Sequence, residues 1–229
     1  MKINVGCGNT PTPGWLNLDN SWTVRLSRRP AVMRGLRRLG LASDKQLRYA
    51  TVARERNIQW ANVVQRIPVA DGAADVVYSS HMLEHLERPE ARRFLREAAR
   101  VLKPDGILRI VVPDLQRLVA QYLESGDGDQ LVSATLLAVE KPRALAQRLR
   151  WAVVGYREHA WMYDGPSLAR FVSGEGFVDT VVLPAGETTI PDPGPLNLYE
   201  RHEESVYVEA RKRGSARAAP MVSRSAVRA

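Results

Sequence analysis

Along most of the chain, short apolar segments alternate with stretches in which apolar residues return every three or four positions. Such an alternation of strand and helix periods predicts an α/β domain built on a largely parallel sheet. Strands are expected at 2–5, 15–19, 57–60, 74–79, 106–112, 177–183 and 204–210. The best-marked helix lies between the fourth and fifth of these. Pro89 suits its first turn, Ala91, Phe94, Leu95, Ala98, Val101 and Leu102 recur at helical spacing, and Lys103-Pro104-Asp105-Gly106 stops it. Asp114 is placed to cap a second helix, with Leu115, Leu118, Val119, Tyr122 and Leu123 on one face and the turn Gly126-Asp127-Gly128 at its end.

Two stretches depart from simple alternation and read as insertions into one domain spanning 1–210. Residues 21–56 contain a basic amphipathic helix, Pro30 to Leu41, with Val32, Met33, Leu36 and Leu39 opposite Arg34, Arg37 and Arg38. Residues 129–156 form a second, helical insertion that carries Trp151 and Tyr156. The tail 211–229 has too few apolar residues to pack and is expected to be disordered.

A length of 229 residues suits one embellished domain, and 45% hydrophobic content is enough for a sizeable core. No apolar run approaches the length of a membrane span and no apolar signal region precedes Lys2, so a cytoplasmic, soluble chain is expected. The single cysteine excludes an intramolecular disulfide and a multi-cysteine metal site. Net charge is +8, but residues 21–56 alone contribute +8 and the tail +6, which leaves −6 for the rest. The body is therefore mildly acidic and its appendages basic, so the overall charge does not mark a nucleic-acid-binding fold. Arginine outnumbers lysine 28 to 5, a bias that selection for phosphate contacts does not require.

The first candidate for chemistry is the turn Val5-Gly6-Cys7-Gly8-Asn9 directly after the first strand. Glycines there let the backbone approach a ligand closely. Dinucleotide sites follow such a turn with a helix N-terminus under the pyrophosphate and an acid about twenty residues on. Here Pro11, Pro13 and Gly14 stand where that helix would begin, and Asp19 follows Gly8 by only 11 positions. A phosphate-free nucleoside needs just the close turn and a carboxylate accepting both ribose hydroxyls, which suits S-adenosylmethionine and not NAD. Cys7 reads as a small residue between the glycines.

These residues carry a resemblance. Val5-Gly6-Cys7-Gly8-Asn9 followed by Gly14-Trp15-Leu16-Asn17-Leu18-Asp19 resembles the opening of class I methyltransferases of the methyltransferase-11 type. Ile67-Pro68-Val69 with Asp75-Val76-Val77, Ser80-His81-Met82-Leu83-Glu84-His85-Leu86 and Arg100-Val101-Leu102-Lys103-Pro104-Asp105-Gly106 are similar to further motifs of that family, with Asp105 in place of a glycine. The likeness covers 1–20 and 57–114 well, 157–210 moderately and the insertions hardly at all. It implies a Rossmann-like, seven-stranded, mostly parallel sheet and S-adenosylmethionine as cofactor. The cofactor-binding residues it implies are Gly6, Cys7, Gly8, Asn9, Asp19, Asn62 and Ser79. Where the family often has an aspartate near the adenine, this chain has Asn62, whose side chain either accepts from the adenine amino group or forms a turn.

His81, Glu84 and His85 stand at helical spacing just after the fourth strand, where open α/β sheets bind ligands, and His159 arrives in Arg157-Glu158-His159-Ala160-Trp161. Three readings stay open. One of His81, His85 and His159 is involved in general-base catalysis of an O-methyl transfer, with His81 or His159 as the base and Glu84 or His85 orienting it. Alternatively, His81, Glu84, His85 and His159 hold a divalent cation, as a similar run does in the plant small-RNA methyltransferase. In the third, Glu84 and His85 only cap and pack the helix start. His202 reads as a solvated loop residue. Trp22, Trp151, Trp161, Tyr156 and Tyr163 are candidates for an acceptor pocket or for core.

The segment 21–56 follows Asp19 directly, so it reads as a lid or wall that favours an acidic acceptor. The expected function is O-methylation of a sugar, glycan or related small molecule. The alternatives are an RNA methyltransferase that uses the basic segments and a non-catalytic scaffold that keeps the cofactor loop for folding.

Overall fold

The computed structural model describes residues 1–137 and 158–214. Trp151, Tyr156, most of the second insertion and the end of the basic tail lie outside the described residues.

Lys2–Val5 (β1) lies inside the sheet, and its three buried positions are flanked on both sides by parallel strands. Leu16–Asp19 (β2) and Gln59–Trp60 (β3) continue the sheet on one side. Ala74–Ser80 (β4) and Leu102–Pro113 (β5) continue it on the other. Ser205–Lys212 (β7) then runs antiparallel between β5 and Phe177–Leu183 (β6). The sheet has seven strands in the order β3-β2-β1-β4-β5-β7-β6, parallel except at β7. This is the Rossmann-like sheet implied by the motifs.

Register aligns the ends. Val5 pairs with Leu18 and with Ser79, Asp19 pairs with Trp60, and Ser205 pairs with Pro113. Gly6, Asn20, Ala61, His81 and Asp114 consequently leave the sheet at its carboxyl end, where such sheets bind ligands.

Arg88–Val101 (α4) covers one face through Ala91, Phe94, Leu95, Ala98 and Val101, with Pro89 in its first turn as expected. Gly165–Gly174 (α7) adds Leu168, Phe171 and Val172 to that core and is capped by Asp164. The stop after α4 takes a form the sequence does not disclose. Ala74 pairs with Leu102 and Val76 already with Ile107, so Lys103–Gly106 loops out of a continuous strand. Asp105 makes the turn at φ +62°, a left-handed backbone that aspartate tolerates better than most residues.

The opposite face lacks a helix between β1 and β2. Trp15, together with Ile190 and Leu196 of the proline-rich loop after β6, packs there on Val76, Tyr78, Ile107, Val111 and Tyr207. Two buried asparagines hold the short connection. Asn4 Nδ2 donates to Thr12 Oγ1 at 3.0 Å, and Asn17 accepts from Thr12 N at 2.8 Å while donating to Thr12 O at 2.9 Å. Buried amides in the first two strands thus do the positioning that a helix would otherwise do.

The basic segment is a three-helix unit: Trp22–Leu26 (α1), Pro30–Arg38 (α2) and Asp44–Glu55 (α3). Only part of the expected apolar side of α2 is covered. Met33 is buried and Leu36 partly so, whereas Val32 and Leu39 are exposed, because α2 rests on its neighbouring helices and not on the sheet. Leu115–Ser125 (α5) begins at the Asp114 cap as expected, but no residue of it is buried. Its apolar side meets Gly128–Thr135 (α6) instead of the core.

Candidate active site

The glycine turn and Asp19 face each other at the carboxyl end of β1 and β2. Gly8 N donates to Asp19 Oδ2 at 3.1 Å, and Asp19 Oδ1 accepts from Ser21 N at 2.8 Å. The two glycines differ. A Cβ on Gly6 would lie 2.8–2.9 Å from the Met82 side chain, whereas one on Gly8 would meet nothing within 4 Å. Close packing therefore explains Gly6, and open space beside an acceptor carboxylate remains at Gly8. That space fits a ribose-bearing ligand. Ser79, at the matching level of β4, is buried with its Oγ lacking a hydrogen-bond partner.

Cys7 turns away from this space and packs with Val24, Tyr49, Ala53 and Ile58, under the helical unit. Burial and the neighbouring Asp19 carboxylate push its thiol far above the ordinary range, so it stays protonated. Asn9 is exposed. Asn62 Oδ1 accepts from Val64 N at 3.2 Å and so makes a turn, while a second lone pair remains on that oxygen.

The second group lies after β4. His81 adopts φ +49°, and the short 3₁₀ turn Leu83–His85 follows in place of a regular helix start. Glu84 is the centre of the group at 1% exposure, with neither carboxylate oxygen hydrogen-bonded. Burial pushes its carboxyl up to about 8. His81 Nδ1 lies 3.5 Å from Glu84 Oε1 and His85 Nε2 lies 3.9 Å from it. The rings of His85 and His159 are 5.0 Å apart. The structure thus brings His81, Glu84, His85 and His159 together, and leaves His202 exposed at a distance from them in sequence and role.

Their partners fix which nitrogen carries the hydrogen. His85 Nδ1 is 2.8 Å from the Glu158 carbonyl and His159 Nδ1 is 2.8 Å from the Thr135 carbonyl. A carbonyl only accepts, so both Nδ1 atoms donate. For His81 the order is reversed: Arg201 donates to Nδ1 at 3.2 Å, and Nε2 donates to Ser205 Oγ at 2.9 Å. Burial first, and then the charges of Arg201, His159 and His85, hold His81 down at about 3. Burial and His85 likewise lower His159. Both rings are neutral near pH 7.

Residues 3–110 match the family model described as a methyltransferase domain. Among solved structures, the chain is similar to an S-adenosylmethionine-dependent methyltransferase from Thermotoga maritima, with 16% identity, TM-score 0.50 and coverage of 93% of this chain and 82% of that one. Another from Methanosarcina mazei gives 14% identity, TM-score 0.50 and coverage of 92% and 91%. Residues 3–110 are a methyltransferase domain, and the chain has the fold of class I S-adenosylmethionine-dependent methyltransferases. At these identities the solved structures speak to the fold alone. A comparison with curated protein sequences finds no significant match.

The sequence did not disclose several side chains at this methyltransferase's site. Arg201, from the loop before β7, and Ser205, the first residue of β7, hold the two nitrogens of His81. Arg88, at the start of α4, stacks its guanidinium on Phe171 at 3.6 Å and on Trp161 at 5.0 Å. Of the five aromatics considered, Tyr163 is buried on Phe171 and Trp22 packs among the basic helices. Trp161 alone among the described ones stands 46% exposed beside the histidines, its backbone N–H donating to the Glu84 backbone carbonyl at 3.1 Å. No helix among the described residues is long and apolar enough to cross a membrane.

Proposed function

We propose that this methyltransferase transfers a methyl group to a hydroxyl of a sugar or glycan acceptor, an acidic one by preference. Gly6, Cys7, Gly8 and Asn9 present backbone to the cofactor, the Asp19 carboxylate accepts from the ribose hydroxyls, and Asn62 and Ser79 border the adenosyl group. When bound, S-adenosylmethionine supplies the electrophilic methyl, so the protein has to orient the acceptor and take its proton. Trp161 offers an exposed face on which a pyranose ring can stack, and Arg88 and Arg201 set positive charge beside it.

His159 is the favoured base. The single observation that carries this reading is the hydrogen placement in the cluster. Nδ1 of His159 is committed to the Thr135 carbonyl, which leaves Nε2 with a lone pair on a neutral ring. His81 is also neutral, but its lone pair is taken by Arg201. His81 therefore positions, and His85, held by the Glu158 carbonyl, orients Glu84 and its neighbour. His159→Asn should abolish turnover on a hydroxyl acceptor while S-adenosylmethionine affinity, read by calorimetry, stays within about threefold. Turnover at the wild-type rate would refute the assignment.

The same placement supports a second reading. Ligand atoms of Glu84, His85 and His159 lie within 4.8 Å of one another, and Nδ1–H to a carbonyl is the arrangement that leaves Nε2 to a metal. A divalent cation there would balance acceptors that now face each other and would act as a Lewis acid on the hydroxyl. Activity lost to a chelator and restored by Mn²⁺ or Co²⁺ supports the cation. Chelator-insensitive turnover supports His159 as a base.

A further inference from the structure

The tip of the three-helix basic unit has a composition that neither cofactor nor acceptor chemistry requires. Leu39 and Leu41, on the turn between α2 and α3, are 73% and 59% exposed, with Val32 exposed two turns earlier along α2. Arg29, Arg34, Arg38 and Lys45 stand exposed around them, and among the described residues none of these four has an acidic partner. Among the described residues, Arg37 is the one cation of the unit that does, paired with Asp44. Exposed leucines are ordinary when scattered, but two on one turn, ringed by unpaired cations, form a patch that water serves poorly.

The tip is also built to hold its shape. Leu41 N and Ala42 N both donate to the Leu36 carbonyl, at 2.8 and 3.2 Å. Ala42 is buried beside Met33 and Ala50, and Ser43 with Gln46 closes a capping box at the start of α3. Leu39 and Leu41 are therefore displayed by a fixed turn. At its other end the unit is anchored to the cofactor loop, where Val24, Tyr49 and Ala53 pack on Cys7.

We propose that this tip docks on an anionic lipid bilayer, with Leu39, Leu41 and Val32 entering the interface and the surrounding arginines and Lys45 meeting lipid phosphates. Charge complementarity selects the occupant, since residues 21–56 carry +8. Apolar burial then distinguishes lipid from a soluble polyanion: residues 29–45 contain no aromatic side chain on which a base could stack, while leucine gains by leaving water only if it enters an apolar phase. The proposal is independent of which acceptor hydroxyl is methylated. Docking would tether the cofactor loop, at the other end of the same helical unit, to the membrane.

The test is co-sedimentation of the full chain with phosphatidylcholine vesicles, with and without phosphatidylglycerol, alongside fluorescence binding to a single-stranded RNA homopolymer. Of the two kinds of vesicle, only the anionic ones are expected to carry the protein down, and more tightly than it binds RNA. The Leu39→Ser/Leu41→Ser pair should weaken the vesicle partition about tenfold or more, equivalent to about 1.4 kcal/mol, and leave RNA binding unchanged. Arg34→Gln/Arg38→Gln should weaken it as well and flatten its salt dependence. Circular dichroism and thermal melts check folding, which these exposed positions should leave intact. Because the chain end 215–229 brings three further arginines, the leucine pair is the deciding variant. Vesicle binding unchanged in that pair, absence of binding to anionic vesicles, or RNA binding tighter than vesicle binding would each overturn the proposal.

Discussion

The two glycines of the cofactor turn should fail in different ways when replaced by alanine. Both have positive φ, +66° at Gly6 and +49° at Gly8, so alanine at either costs about 1–2 kcal/mol of backbone strain. Gly6→Ala adds a second cost, because its Cβ would fall 2.8–2.9 Å from Met82 Cβ, Cγ and Sδ. Forcing a packed side chain aside costs roughly 1–3 kcal/mol, which gives roughly 2–5 kcal/mol in all. Met82→Ala in the Gly6→Ala background should recover the packing part and leave the strain. Gly8→Ala meets no protein atom, so its stability loss should stop at about 1–2 kcal/mol, a Tm decrease of roughly 2–8 °C for a chain of this size. Its Cβ would enter the space assigned to the cofactor, and S-adenosylmethionine affinity should fall at least about tenfold. Denaturant melts and calorimetric titration of the three variants beside the wild type separate these effects. Unchanged affinity in Gly8→Ala would refute the placement of the cofactor, and no recovery in the double variant would refute the Met82 contact.

Further outcomes concern charge and strain. Glu84, raised from 4.5 to about 8 by burial, is protonated in the fold where the unfolded chain has lost the proton, so its contribution to stability falls as pH rises from about 4.5 to about 8. His81, lowered from 6.5 to about 3, acts oppositely, its contribution falling as pH drops below 6.5. Between pH 6.5 and 8 the Glu84 effect should show by itself, at most about 1.4 kcal/mol per pH unit, and Glu84→Gln should flatten denaturant-derived stability over that window. Arg109 and Glu209 form an ion pair at 2.6 Å with both side chains buried, so Arg109→Met should cost about 3–5 kcal/mol in a urea melt. Asp105→Gly should raise stability by about 1 kcal/mol, since glycine takes the φ of +62° without strain. Trp161→Ala should raise the KM for a glycan acceptor severalfold with S-adenosylmethionine affinity unchanged.

The sheet was legible in the sequence because each strand is a short apolar run with turn residues beside it, and its class followed from helical spacing between them. All seven strands appear within a few residues of the expected positions, the third reduced to Gln59–Trp60 because Ile58 turns into the packing around Cys7. The missing β1–β2 helix was also legible, from Pro11 and Pro13. What braces that connection was not, since Asn4 and Asn17 look like ordinary polar positions until their amides are seen buried on Thr12. The helices of the basic segment were half legible. The helix read at Pro30 to Leu41 is α2, whereas the Ser43–Gln46 capping box that starts α3 went unread and α1 is five residues long with no periodicity to read.

At the site, sequence spacing brought out the histidines and Glu84, but not the hydrogens on them. Those depend on carbonyls of Thr135 and Glu158 and on Arg201, contributed by distant segments. The pattern of Gly6 and Gly8 suggested one role for both, and only the position of Met82 separates them. The apolar side of α5 misled in the other direction, because periodicity shows that a helix has an apolar face and not what covers it.

The most direct test is mass spectrometry of neutral and acidic glycans incubated with S-adenosylmethionine and either wild-type enzyme or His159→Asn, in the presence of chelator. The expected result is methyl incorporation at a hydroxyl, strongest on the acidic glycans, by the wild type alone. Equal incorporation by His159→Asn would contradict the assigned base, and methylation of RNA with none on any glycan would contradict the acceptor class.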